Sequence, residues 1–268
     1  ALKDYNKMIK LSPKDDLGYI YKGDVLLELD RYEDAIKAYN KAVKLGEAYD
    51  GLYNAIGSAF YNLEKYDDAL SNFLKAIELN PKHARANYNC ARVYLKLDEY
   101  KKALRYVDRA IFINESCQDF YSLRGRINEC LKDFEGAEND YTQVLLICAD
   151  DDAYLQRARV RCSLEKYVEA IEDCDEGLRI NPKKVDFYIT RGDAKDELED
   201  YQSAIDDYNM ALELSPNEAT AFNLRGVTKE KMNNLQEAYN DFKKAVEFSP
   251  KYKAAINNME RVEEKLSM

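Results

Sequence analysis

The sequence predicts an all-α solenoid of antiparallel helix pairs, on three observations. A small residue recurs at Gly23, Gly57, Ala91, Gly125, Ala158, Gly192 and Gly226, at intervals of 34, 34, 34, 33, 34 and 34 residues. An alanine follows each at constant distance: Ala35, Ala69, Ala103, Ala137, Ala170, Ala204 and Ala238. All five prolines, Pro13, Pro81, Pro182, Pro216 and Pro250, fall at one phase of this period. Proline cannot continue a helix, so each marks where a second helix stops. A period of this length is the signature of one helical hairpin copied along the chain, each copy burying its apolar face on the next.

With the recurring small residue numbered position 8, the units run 16–49, 50–83, 84–117, 118–150, 151–184, 185–218 and 219–252. Residues 1–15 read as the second helix of a truncated repeat, in which Ala1 is again position 20. Residues 253–268 read as a C-terminal capping helix, with Ile256, Met259 and Val262 at helical spacing among polar neighbours. The clearest copy is 188–216, two amphipathic helices that meet in a tight turn at Glu199–Asp200. Gly192 and Ala204 stand where its helices cross, and an added side chain there overpacks the crossing at about 1–3 kcal/mol. The 33-residue interval places a one-residue deletion between Val144 and Asp151, in a connecting loop. Tyr32, Tyr66, Tyr100, Tyr167 and Tyr201 share position 17 and read as core.

The pattern resembles the tetratricopeptide repeat (TPR) family over the whole chain. That family's signature sets small residues at 8, 20 and 27 against large ones at 4, 11, 17 and 24. Position 27 here is Ala42, Ala76, Ala110, Val144, Gly177, Ala211 and Ala245, and position 24 is Tyr39, Phe73, Val107, Tyr141, Cys174, Tyr208 and Phe242. One copy of so degenerate a pattern says little, whereas seven in phase are specific. The resemblance implies a right-handed superhelix whose first helices line a concave groove, and a role in binding proteins.

Composition narrows the function classes. A net charge of −10 without a lysine-rich run makes nucleic acid a poor partner. No stretch approaches the roughly 20 apolar residues of a membrane helix, so no membrane insertion is expected. Six cysteines, at 90, 117, 130, 148, 162 and 174, lack CxxC spacing and read as small residues in a reducing, cytoplasmic compartment. No metal site and no cofactor are expected. The chain begins at Ala1 inside a repeat, so a fragment or processed form is expected, its targeting segment lost with the missing part. No catalytic residues are expected: the single histidine, His83, falls in a loop without a nucleophile at motif spacing. The acidic run Asp150–Asp151–Asp152 reads as a helix cap.

Position 7 is arginine in units 4 to 7 (Arg124, Arg157, Arg191, Arg225), and position 23 is aspartate in the same four (Asp140, Asp173, Asp207, Asp241). A partly buried charge needs its partner, so an Arg–Asp pair inside each of these hairpins is predicted. The groove positions that the resemblance implies carry a basic centre: Arg85, Arg92, Lys96, Arg126 and Arg159, opposed by Asp119, Glu129 and Asp152. Arg92, Arg126 and Arg159 share position 9 and would form a row, helices packing about 8–10 Å apart. Two arginines about 10 Å apart repel by roughly 0.4 kcal/mol in water and roughly 1.7 at an effective dielectric of about 20, a strain that an anion would relieve. The sharper reading is that this row, with Asn54, Ser58, Tyr88 and Asn89 beside it, grips an acidic segment of a partner. The alternative is internal satisfaction by Asp119 and Asp152.

Family members that dock chaperone tails hold a C-terminal carboxylate with five residues, Lys at 5 and Asn at 9 of one unit, Asn at 6 of the next, then Lys at 2 and Arg at 6. Units 1 to 3 offer Ile20, Asp24, Ala55, Arg85 and Asn89 there, which does not make the clamp. The sequence therefore points to a protein-interaction scaffold or adaptor, co-chaperone-like without that clamp and not an enzyme. A regulatory or substrate-recognising arm of a larger enzyme, or a self-associating scaffold, are the alternatives.

Overall fold

The computed structural model describes residues 1–46 and 49–267, which leaves 47–48 of the first repeat and the final residue outside the described set. The described residues form sixteen α-helices and no strand. The chain divides into two compact units, Ala1–Leu131 and Lys132–Met268. The first holds α1 (Leu2–Leu11), α2 (Leu17–Glu28), α3 (Tyr32–Leu45), α4 (Asp50–Asn62), α5 (Tyr66–Leu79), α6 (Ala84–Lys96), α7 (Tyr100–Ile113) and α8 (Gln118–Leu131). The second holds α9 (Phe134–Ile147), α10 (Asp151–Ser163), α11 (Tyr167–Ile180), α12 (Val185–Glu197), α13 (Tyr201–Leu214), α14 (Ala219–Lys231), α15 (Leu235–Phe248) and α16 (Lys253–Leu266). Within each unit every helix packs on the next in the chain, and first helices of successive repeats also touch, as α4 does α6 and α12 does α14. The one-residue deletion is absorbed between α9 and α10, in a connection of three residues, 148–150.

The turn inside each hairpin has a constant backbone solution. Position 15 takes a left-handed conformation every time, with φ of 56° at Asp30, 58° at Glu64, 57° at Asp98, 61° at Lys132, 60° at Glu165, 63° at Glu199 and 63° at Asn233. This is a Schellman closure: the amide of Asp200 donates to the carbonyl of Lys195 at 3.0 Å and that of Glu199 to Asp196 at 3.0 Å. No glycine occupies the position, although a side chain in this region costs about 1–2 kcal/mol. Glu199 is exposed, so Glu199→Gly is expected to raise stability by about 0.5–1 kcal/mol after the extra entropy of an unfolded glycine is subtracted. Urea denaturation checks this, and a drop in midpoint would contradict it.

Core size is matched pair by pair across the hairpin. Glycine stands at position 8 wherever position 24 is aromatic, and alanine stands there where position 24 is Val107 or Cys174. The reason is contact: a Cβ built on Gly57, Gly192 or Gly226 would lie 2.6, 2.7 or 2.7 Å from the ring of Phe73, Tyr208 or Phe242. Those rings are at most 1% exposed. The same matching joins one repeat to the next, where Gly177 on α11 leaves room for the buried Phe187 of α12. The tyrosines of position 17 depart from the expected core role and are half-buried instead. Tyr32 and Tyr100 donate their hydroxyls to Asp30 and Asp98 at 2.6 and 2.8 Å, which keeps them at the surface. The fully buried tyrosines are Tyr39, Tyr141 and Tyr208, at position 24.

The arginine–aspartate pairs of the fifth to seventh repeats form, and they are larger than pairs. Arg157, Arg191 and Arg225 each reach both oxygens of Asp173, Asp207 and Asp241, at 2.5–3.0 Å. Each aspartate is buried and also takes a second cation from position 11: Arg161 and Lys195 at 2.8 Å, Lys229 at 2.9 Å. Position 11 is thus not the large apolar site that the family pattern implies in these repeats. Each arginine also reaches position 25 of the preceding repeat, Thr142, Asp175 and Asn209 respectively. Arg124 of the fourth repeat follows suit by donating to Asp108 at 2.9 Å. The arginine therefore ties its own hairpin and the joint to the repeat before it.

Candidate partner-binding site

The first compact unit contains a cavity of about 560 Å³ built by α4, α6, the α6–α7 turn and α8. Of the residues singled out from the sequence, Tyr88, Arg92, Lys96 and Arg126 line it. Tyr61, Leu95, Asp98, Tyr100, Asp119 and Leu123 complete most of the wall. Periodicity alone places Tyr100 with the core tyrosines of position 17 and does not single out Tyr61; the signal for Tyr61 is its position 12, in the groove-facing set that the family resemblance implies.

Arg92 is held from two sides. Its guanidinium stands 4.3 Å from the centroid of the Tyr61 ring and 5.8 Å from that of Tyr88, and it donates to Asn89 Oδ1 at 3.4 Å. Tyr88 also has Arg85 at 5.2 Å on its ring and lies 5.1 Å from the Phe120 ring. Burial pushes the Tyr88 hydroxyl above its ordinary range, against the pull of Arg92 and Arg85 toward the phenolate, so it stays protonated as a donor. Arg126 and Lys96 are exposed, and neither has a hydrogen-bond or ion-pair partner among the described residues. The two acids on the wall are both engaged: Asp119 by Arg85 at 3.1 Å and Asp98 by the Tyr100 hydroxyl at 2.8 Å.

The other sequence-derived residues lie elsewhere. Asn54 accepts from Asn89 Nδ2 at 2.9 Å, which braces α4 against α6, while Ser58 donates within α4 to the Asn54 carbonyl at 2.9 Å. A matching amide contact joins Asn258 to Asn223 at 3.0 Å in the second unit. Arg85 sits on Asp119, as internal satisfaction requires. Arg159 belongs to the second unit, where it pairs with Asp186; Asp152 pairs with Lys184. His83 caps α6 by accepting the Ala86 amide at 3.3 Å, and Asp150 caps α10 by accepting that of Asp152 at 3.0 Å. No helix among the described residues is long and apolar enough to cross a membrane.

Comparison with known proteins agrees with this architecture. Tetratricopeptide repeat families match residues 23–64, 63–127, 185–218 and 219–252. No curated protein matches the chain. Among solved structures, the C-terminal part of a TPR repeat-containing protein from Cytophaga hutchinsonii is similar at a TM-score of 0.73 and 18% identity, covering 90% of this chain and 99% of that one. YrrB, described as a TPR protein with an unusual peptide-binding site, is similar at 0.57 and 22% identity, covering 69% of this chain and 96% of YrrB. The Cut9–Hcn1 hetero-tetramer of the APC/C is similar at 0.65 and 18% identity; the match covers 97% of this chain but only 52% of the other. With the family matches and the consecutive helix pairs in agreement, the chain belongs to the tetratricopeptide repeat family.

Proposed function

We propose that the first compact unit is a docking module for an acidic segment of a partner protein, received in the cavity between α4, α6 and α8. The observation that carries this reading is the pair Lys96 and Arg126: exposed cations on a concave wall, without internal partners, in a chain of net charge −10. Arg92 adds a third cation that is already oriented by Tyr61 and by Asn89. Because both wall acids are engaged, an incoming carboxylate meets cations without having to break a strong internal pair. The description of YrrB as peptide-binding supports the choice of a peptide as ligand. The row of three arginines contracts in this reading to Arg92 and Arg126 with Lys96, since Arg159 is tied to Asp186.

The test is fluorescence anisotropy with degenerate peptides rich in Asp and Glu, compared with neutral ones. Wild type is expected to prefer the acidic peptides, and Lys96→Glu with Arg126→Glu to weaken that binding by at least about tenfold, the size of losing one or two charge-assisted contacts. Both substitutions are at exposed sites, so helicity should be unchanged. Equal binding of acidic peptides by the wild type and the variant would sink the proposal.

A further inference from the structure

The cavity carries more positive charge than one carboxylate uses. Arg92, Lys96 and Arg126 line it, and Arg85 is bonded to its wall through Asp119. The lining holds these three cations against two carboxylates, Asp98 and Asp119, and Asp119 is already neutralised by Arg85 from outside the lining. A carboxylate brings one charge and two oxygens, which a single arginine can take in bidentate fashion. A phosphoryl monoester brings a charge of about −1.5 to −2 at pH 7 and three strong acceptor oxygens. The wall also offers the Ser122 hydroxyl as a neutral donor, and Leu95 and Leu123 as an apolar face for the stem that would carry the anion.

We infer that the cavity receives a phosphorylated side chain of the partner segment. Its oxygens are taken by Arg126, Lys96 and Arg92, and its stem lies on Leu95 and Leu123. This inference rests on the acidic-segment reading above and narrows it. The orientation of Arg92 by the Tyr61 ring means that part of the ordering is complete before the ligand arrives, which favours a multiply hydrogen-bonded anion over a diffuse acidic stretch.

The experiment uses the full chain and four labelled peptide pools, degenerate except for a central phosphoserine, phosphotyrosine, glutamate or serine. At least one phosphorylated pool is expected to bind about tenfold tighter than the glutamate pool, and Arg126→Ala with Lys96→Ala to erase that preference at unchanged helicity. Which phosphorylated pool binds tighter identifies the stem. A glutamate pool that binds as tightly as both phosphorylated pools overturns the phosphate inference and leaves the acidic-segment reading standing. If no pool binds more tightly than the serine pool, both fall. Inorganic phosphate that displaces the phosphopeptides at the peptides' own concentrations reduces the site to an adventitious anion only and overturns the inference as well.

Discussion

Asp207→Ala is expected to cost about 3–5 kcal/mol, the effect of removing one partner from a buried charge cluster. Asp207 is 3% exposed, and both its oxygens are taken by Arg191, at 3.0 and 2.5 Å, with Lys195 at 2.8 Å on the same carboxylate. Without it two cations are left partly desolvated with their main acceptor gone, although Asp175 still holds one arm of Arg191. The control lies one residue away. Asp206 is exposed and only accepts from Gln202 at 3.3 Å, so Asp206→Ala should stay within about 0.5 kcal/mol. Because Arg191 also binds the preceding repeat, the loss should spread: amide exchange is expected to speed up in α11 as well as in α12 and α13. Stability in a repeat array is a sum of repeat and neighbour terms, so hydrogen exchange by repeat is a better readout here than one global midpoint. A loss below about 1 kcal/mol, or one confined to α12 and α13, would show that the cluster does not tie the repeats together.

A second large effect is expected at the joint between α11 and α12. A methyl group on Gly177 would overlap the Phe187 ring, which is fully buried. Gly177→Ala should therefore cost about 1–3 kcal/mol by overpacking, and Phe187→Ala about 3–5 kcal/mol by opening a cavity. The double substitution recreates the combination that other joints already use, Ala76 with Ala86 and Ala211 with Ala221, all fully buried. Its cost should fall short of the sum of the single changes by about 1–3 kcal/mol, the coupling of residues in direct contact. Denaturation of the three variants gives this cycle directly. Strict additivity would mean that the two side chains do not compete for the same space.

Much of this molecule is legible without coordinates because a repeat reads itself: seven aligned copies average out local ambiguity. The prolines, the alanine of position 20 and the small residue of position 8 locate helices, turns and crossings, since each is a local or next-helix requirement. The reciprocal choice at positions 8 and 24 was also present in the residues, as glycine against an aromatic and alanine against Val107 or Cys174, but it needed contact geometry to be recognised as a rule. The pairing of Arg191 with Asp207 followed from co-occurrence inside one hairpin.

What the tertiary structure decided is which of several eligible partners each charged side chain takes. Lysines and arginines are long, so a cation at a groove position can face outward, stack on a ring or bend to a neighbour, and sequence spacing does not choose among these. Arg85 bends to Asp119 and Arg159 to Asp186, Arg92 lies on Tyr61, and Arg126 is left to solvent. The second cation on each buried aspartate, from position 11, escaped the repeat pattern for the same reason: position 11 was expected to be packing volume. By itself the sequence determined the hairpin, its period and its crossing residues, because these follow from backbone conformation and side-chain size. The site depended on the fold, because it consists of what remains unpaired after all the nearer partners have been taken.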